Sequence, residues 1–299
     1  MNIIILTYAK DERSVATFDR LAEEGRMRGH QVQRVRYPEC CLAVEQGVQK
    51  IFYREEELTG IDAVIPWAIQ GDIGYGMGVL RHLEDMGVLV LNTADAFENA
   101  NDKWRTAQLL ARNRIPTPDT YHTESYKGVR ICANRMGDDY QVIIKEIDGL
   151  QGRGAVLMRE GDSISDLKLP AGRCVMQEFI QESAGKDIRA YVVGEQIVAS
   201  MERRAEQGFR SNLHLGGKGS AVDLQEREAE LVMSTMKALG LSVAGIDLLR
   251  SRRGPLVIEA NASAGFGIES VTDVNVAARI IEYIELKAKR RNKKDKVGA

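Results

Sequence analysis

Two short apolar runs near the end of the sequence carry charges that an apolar core cannot hold alone. Val243 to Arg250 and Leu256 to Ala260 read as paired strands, turned by Arg252-Arg253-Gly254-Pro255. Asp247 and Glu259 lie within them, among Ile246, Leu248, Leu249, Val257 and Ile258, and Asn261 closes the second run. A buried carboxylate must be paired, hydrogen-bonded or bound to a metal. Asp247, Glu259 and Asn261 offer oxygen donors only, and hard oxygen donors suit Mg²⁺ or Mn²⁺ bridging phosphates. Asp247 alone would read as an ordinary strand-end polar residue, but the trio in one strand pair favours a metal site.

The rest of the chain alternates. Ile3 to Leu6 is a continuous apolar run, as expected of a strand buried on both faces. A helix from about Arg13 to Gly29, strands at Val32 to Val35 and Ala63 to Pro66, a helix at Gly78 to Met86 and a strand at Val88 to Leu91 follow. This rhythm predicts a small doubly wound α/β domain over 1–95. A central α+β unit is expected over 96–182. It holds a helix at 102–113, a strand at Val142 to Lys145, the glycine-rich Asp148 to Gly154, and strands at Ala155 to Met158 and Cys174 to Ile180. Two strands joined by a glycine loop look like a hairpin lid. A third unit, 183–288, opens on a hairpin around Gly194-Glu195. It continues with an amphipathic helix at Gln225 to Leu239, the strand pair above, and a closing helix at Val274 to Ala288. Residues 289–299 are expected to form a disordered basic tail or the solvated end of that helix.

Charge and composition exclude several classes. The net charge of −2 hides a divided chain: the last thirteen of the 299 residues hold seven Lys or Arg and one Asp. The remaining 34 basic against 42 acidic residues leave a body near −8. An acidic body argues against bulk nucleic-acid binding. No apolar stretch approaches the roughly 20 residues that span a bilayer, and no signal peptide opens the chain. Cys40, Cys41, Cys132 and Cys174 show no metal or disulfide spacing, so a reducing cytoplasm is the expected compartment.

Three further groups suggest phosphate chemistry. Lys145 emerges from an apolar strand just before the glycine loop, and glycine amides can approach phosphate oxygens closely. Such a loop is more often a plain turn, and neither a P-loop nor a dinucleotide-binding glycine fingerprint is present. Gln177-Glu178-Phe179-Ile180 leaves an apolar strand and could hold an adenine edge through its backbone, or be an ordinary core strand. Arg189, Arg203, Arg204, Arg210 and Lys218, with Asn212 and His214, form a cationic group suited to carboxylates and phosphates. Its plain reading is a solvated hairpin. The glycines around 208–219 fit a loop that closes on substrate.

Taken in order, these segments resemble the ATP-grasp superfamily, and most closely the RimK family of ATP-dependent amino-acid ligases. The resemblance rests on Asn101 to Arg105 with Gln108 to Ala111; Lys145 with Gly149 to Gly154; Gln177 to Ile180; and Asp187-Ile188-Arg189. It continues with Glu202 to Ala205, Phe209 to His214, Gly245 to Arg250 and Gly254 to Ser263. It implies an ATP-grasp fold of three domains: N-terminal pre-ATP-grasp, central lid and C-terminal catalytic. By position it implies that Lys103 and Lys145 hold ATP phosphates and that Gln151, Gly152 and Gly154 cap them. Gln177, Glu178, Phe179 and Ile180 would hold adenine, with Asp187, Arg189 and Ser211 also on the nucleotide. Asp247, Glu259 and Asn261 would bind two Mg²⁺ or Mn²⁺ ions. Arg203, Arg210 and Asn212 would hold the transferred phosphoryl group or the substrate carboxylate.

The activity implied is ADP-forming ligation through an acyl phosphate. An amino acid, foremost L-glutamate, is joined to a carboxylate of a protein, peptide or small acceptor. Poly-glutamate synthesis or glutamylation of a ribosomal-protein C-terminus leads, and carrier-protein and cofactor-directed ligation are alternatives. A homodimer or homotetramer is implied as well. A non-catalytic nucleotide-binding regulator is the rival from another class, and an NAD-dependent dehydrogenase lacks its fingerprint. Two departures from the family pattern stand out. After Asn261-Ala262-Ser263 the family continues Pro-Gly-Leu-Glu-Gly-Ile-Glu, whereas this chain has the shorter Ala264-Gly265-Phe266-Gly267-Ile268-Glu269. Pro66 is followed by Trp67-Ala68-Ile69-Gln70-Gly71-Asp72 where relatives tend to carry an arginine. Both segments are expected to face the substrates.

Overall fold

The computed structural model describes residues 1–8, 12–69, 73–136, 141–147, 155–159, 162, 173–206, 208 and 217–297. Four sheets organise them. The first is parallel, in the order β2-β1-β6-β7, from β1 (Asn2–Thr7), β2 (Gln31–Arg36), β6 (Ala63–Pro66) and β7 (Leu89–Val90). Helices α1 (Glu12–Met27) and α2 (Ile73–Asp85) make the crossovers. The all-apolar run at Ile3 to Leu6 becomes the central strand, where parallel pairing buries both faces. A feature absent from the sequence reading interrupts this domain: a small antiparallel sheet of β3 (Cys40–Glu45), β4 (Val48–Tyr53) and β5 (Glu56–Glu57). Its turn at Gln46-Gly47 takes positive φ at both residues, as a tight hairpin requires. Helix α2 begins five residues before the expected Gly78, and Gly76 within the added turn packs closely against its neighbours. A Cβ on Gly76 would come within 2.8 Å of Ile69 and 3.2 Å of Tyr37.

Helices α3 (Ala94–Asn101) and α4 (Lys103–Arg112) lead to the central unit. Thr93 caps the first by accepting from Ala96 N, and Asp102 caps the second by accepting from Arg105 N at 2.8 Å. The central sheet runs β10-β9-β11-β8, from β8 (Thr120–Thr123), β9 (Val142–Glu146), β10 (Val156–Met158) and β11 (Cys174–Glu178). Strands β9 and β10 pair antiparallel, as the hairpin reading required. Helix α5 (Tyr126–Met136), which the sequence reading did not identify, covers this sheet. Val129, Cys132, Met136, Val142, Ile144 and Met176 form a core separate from the rest of the molecule.

The C-terminal sheet is β14-β13-β12-β15-β16, from β12 (Lys186–Val193), β13 (Gln196–Arg204), β14 (Lys218–Ala221), β15 (Val243–Ser251) and β16 (Gly254–Asn261). Helix α6 (Glu226–Leu239) starts on a reciprocal cap: Gln225 N donates to Glu228 at 2.9 Å, and Gln225 accepts from the first turn. It stops at left-handed Gly240. A short α7 (Glu269–Thr272) precedes α8 (Val276–Val297). The backbone of α8 continues to Val297, through most of the basic tail.

The N- and C-terminal units share their cores. Ile4 and Leu6 of β1 belong to one cluster with Ile188, Ala190, Ala244 and Ile246. Ile3 and Ile5 join Tyr191, Ile280 and Ile284 in another. Buried Asn92 fastens the two units: it accepts from Ser242 N and Val243 N at 2.6 and 2.9 Å and donates to Val243 O at 2.7 Å and Ala262 O at 3.3 Å. Every polar group of that amide is thereby engaged. All four cysteines are free. Among the described residues no helix is long and apolar enough to cross a membrane.

Candidate active site

Strand register assembles the site. Across β12 and β15, Arg189 lies opposite Asp247; across β12 and β13, Asp187 lies opposite Arg203; across β15 and β16, Asp247 lies opposite Glu259. Side chains two apart on a strand share a face, so Asp187 and Arg189 both meet this group. Arg189 donates twice to Asp247, Nε to Oδ1 at 2.7 Å and Nη2 to Oδ2 at 2.6 Å. Arg203 donates twice to Asp187, at 2.6 and 2.7 Å, and its Nη2 lies 2.8 Å from Asp247 Oδ2. Asn261 Nδ2 approaches the same oxygen at 3.4 Å. The exposure of Arg203 is 2% and that of Asp247 1%. The sequence reading gave Arg203 to a transferred phosphoryl group or a substrate carboxylate, and Arg189 to the nucleotide. In the structure both guanidinium groups are bound to buried carboxylates. Burial by itself would raise the pKa of Asp247, but the pull of Arg189 and Arg203 outweighs it and holds the carboxyl below its ordinary range. Burial would likewise lower Arg203, and the two aspartates instead raise it.

Packing of this group is close. A Cβ on Gly245 would lie 2.7 Å from that of Ala264 and 3.3 Å from Cδ of Arg189. Gly245→Ala is therefore expected to destabilise the protein by about 1–3 kcal/mol, as overpacking does. Urea denaturation measures it.

Lys145 and Lys103 flank a narrow cleft between α4, β11 and β16, lined also by Gln177, Val175 and Ile258. Lys145 Nζ donates to Gln177 Oε1 at 2.8 Å, and Lys103 Nζ to Ile147 O at 3.2 Å. Lys145 is half-buried as a residue, yet desolvation of its ammonium dominates. That pushes the pKa down, assisted by the charge of Lys103 and opposed by Glu259, Asp247 and Asp187. A lysine with a lowered folded-state pKa costs stability below that pKa, and the cost fades as pH climbs towards the ordinary lysine value. Lys145→Met is thus expected to be no less stable than wild type at neutral pH, with any gain shrinking as the pH rises towards the ordinary lysine value. Denaturation against pH checks this.

The remaining expected residues divide. Glu178 ends β11 and accepts from Asp119 N at 3.2 Å and from Arg253 Nη2. The Phe179 amide donates to Gln141 O at 2.8 Å, and Ile180 is buried. Gln151, Gly152, Gly154, Arg210, Ser211 and Asn212 lie outside the described residues. Arg204, in the same cationic group, pairs with its neighbour Glu202. Among the described residues no cluster of three or more His, Cys, Asp or Glu could hold a metal. Asp247, Glu259 and Asn261 nonetheless converge as two carboxylates and an amide, a donor set that fits a hard divalent cation. The aromatic group beside them, Trp67, Phe266 and Tyr191, was missed by the sequence reading, which noted Trp67 and Phe266 only as departures. Its rings lie 5.3 and 6.2 Å apart.

Residues 100–284 match the RimK-like ATP-grasp domain and residues 1–97 the RimK pre-ATP-grasp domain. The chain belongs to the RimK-like ATP-grasp family. Membership makes it an ATP-dependent ligase. A probable alpha-L-glutamate ligase of Legionella pneumophila (strain Corby) is 42% identical over 90% of this chain and 91% of its own length. One from Coxiella burnetii (strain Dugway 5J108-111) is 39% identical over 97% of both. Among solved structures, the ATP-grasp ligase PsnB complexed with a minimal precursor superposes with a TM-score of 0.71 at 21% identity, over 95% of this chain and 98% of that one. D-alanine–D-alanine ligase from Bacillus anthracis, complexed with ATP, gives 0.71 at 16% identity over 99% of both. These two likenesses concern the fold, and they agree with the ATP-grasp fold with an N-terminal pre-ATP-grasp domain that the sequence pointed to.

Proposed function

We propose that this protein joins the amine of L-glutamate to a carboxylate of a peptide or protein acceptor, with ATP converted to ADP. The observation that carries this reading is the buried Asp247 group, with Glu259 and Asn261 beside it and Lys145 and Lys103 across the adjoining cleft. The names of its relatives support glutamate, and the family supports ATP with Mg²⁺. Asp247, Glu259 and Asn261 would hold Mg²⁺, which when bound neutralises phosphate charge. Lys103 and Lys145 would hold ATP phosphates, and Gln177 would orient Lys145 through the hydrogen bond already formed. Arg189 and Arg203 supply positive charge beside the reacting groups, where an acceptor carboxylate would be oriented. Phosphoryl transfer needs positioning and charge neutralisation more than a protein nucleophile, which agrees with a site built from cations and carboxylates. The acceptor carboxylate attacks the γ-phosphoryl group and releases ADP; the amine then displaces phosphate and leaves an amide.

Repeated addition to give poly-glutamate, and a homo-oligomeric state, belong to the same reading. The test is incubation with ATP, Mg²⁺ and single amino acids, following phosphate release and product mass. Glutamate-dependent phosphate release with products growing by glutamate units is expected. Phosphate release with every amino acid but glutamate would overturn the substrate, and ATP binding without turnover on any substrate tested would favour a regulatory protein. Light scattering reports the oligomer.

A further inference from the structure

The two segments in which the sequence departs from the family pattern lie far apart in the chain and meet beside the active site. In the order β2-β1-β6-β7 the chain leaves β1 on one side for β2 and returns on the other for β6. The gap between the ends of β1 and β6 is therefore a topological switch point, where open parallel sheets form a binding crevice. Trp67 follows β6 at that edge and is 5% exposed. Its ring meets Phe266 edge-on, with centroids 5.3 Å apart and planes at 63°. Phe266 in turn lies 6.2 Å from Tyr191, whose hydroxyl donates to Ala264 O at 2.9 Å.

The backbone is joined at the same place. Ala68, held at a φ of 51°, donates its amide to Ser263 Oγ at 3.2 Å, 195 residues away. Its carbonyl accepts from Tyr8 N at the end of β1, at 3.4 Å. A non-glycine residue in the left-handed region persists where its surroundings over-determine it, and here both polar groups are engaged. Each contact lands next to a residue of the site. Ser263 lies two residues after Asn261, and Tyr191 two after Arg189. Neither Trp67 nor Phe266 lines the cleft of Lys103, Lys145 and Gln177.

We propose that Trp67, Phe266 and Tyr191 form an aromatic clasp that positions the Ser263–Gly267 turn over the switch-point crevice, and so governs the grip on glutamate rather than on ATP. This rests on the ligase reading above. Trp67 and Phe266 are positioning residues: they act through the turn and through Ser263. The rings of Trp67 and Tyr191 are buried, so they reach a substrate only through the turn they hold.

The test uses the full chain with Trp67→Ala and Trp67→Phe. Hydrogen exchange across 263–269 should quicken in Trp67→Ala while β15 and β16 keep their protection. In the ligation assay the KM for glutamate should rise about tenfold, since small displacements from productive geometry are costly, and the ATP dissociation constant should change less than twofold. Trp67→Phe keeps a ring at the position and should restore most of both effects. Unchanged exchange in the turn overturns the clasp, as does an unchanged KM for glutamate. ATP binding weakened in parallel with glutamate binding also overturns it, because general loosening would do that. If the wild-type protein shows no glutamate turnover, the glutamate reading falls while the exchange measurement still decides the clasp.

Discussion

Asp247→Asn is expected to lower kcat by roughly a thousandfold or more, because one change removes a proposed metal ligand and unbalances the charges beside the reacting phosphate. The carboxylate takes two hydrogen bonds from Arg189 and an ion pair from Arg203. An amide cannot accept at both ends and carries no charge. Removing one partner of a buried pair typically costs about 3–5 kcal/mol. The lower end applies here, because Arg203 keeps Asp187 and the Arg189 side chain, 14% exposed, can turn towards water. The substitution should therefore impair both turnover and stability, and turnover must be measured well below the variant's unfolding midpoint. The pH dependence separates the two effects. The Asp247 carboxyl titrates below its unfolded value in the folded protein, so its contribution to stability is complete above the ordinary carboxylate range and disappears as the pH falls through the depressed value. The stability difference between wild type and variant should thus be greatest near neutrality and narrow on acidification. A difference that widened towards acid would contradict the pairing.

Arg203→Met should be the most destabilising single change in the site, at about 3–5 kcal/mol in urea or guanidinium denaturation. Methionine fills much of the volume but leaves Asp187 and Asp247 without the guanidinium that they share. Arg203→Lys should recover only part, since a lysine cannot donate through a rigid fork to two carboxylates at once. The double variant Arg203→Met with Asp187→Leu should be more stable than Arg203→Met alone, because replacing a buried pair by apolar groups avoids the stranded charge. Additive losses in that cycle would show that the two residues do not act as a pair.

The order of elements was legible from apolar periodicity. Ile3 to Leu6 could only be a doubly buried strand, and the antiparallel pairing of Val243–Arg250 with Leu256–Ala260 followed from their turn. The short sheet from Cys40 to Glu57 was not legible. Its strands lack clean alternation: β3 is an apolar run ending on an exposed Val44, β4 mixes Gln49 and Lys50 with Val48 and Ile51, and the hairpin turn is carried by Gln46-Gly47 rather than a stronger turn pair. Helix α5 was hidden for a similar reason: an exposed Ile131 and scattered polar residues blur its apolar stripe. The boundary expected at residue 95 falls inside α3, because the chain passes from the first sheet to the central unit through packed helices rather than a linker.

At the site, sequence determined which chemistry was available. Oxygen donors at Asp247, Glu259 and Asn261, with lysines and arginines in excess over any nucleophile, already pointed to phosphate and carboxylate work. What sequence could not supply was the pairing. Which arginine meets which aspartate depends on register between strands many residues apart. That register is fixed by the shared hydrophobic core and by Asn92, through packing that no local pattern encodes. The same holds for Trp67 and Phe266. Each looked like a separate departure from the family pattern, and only the fold, by closing the first sheet's edge against the turn after Asn261, made them one feature.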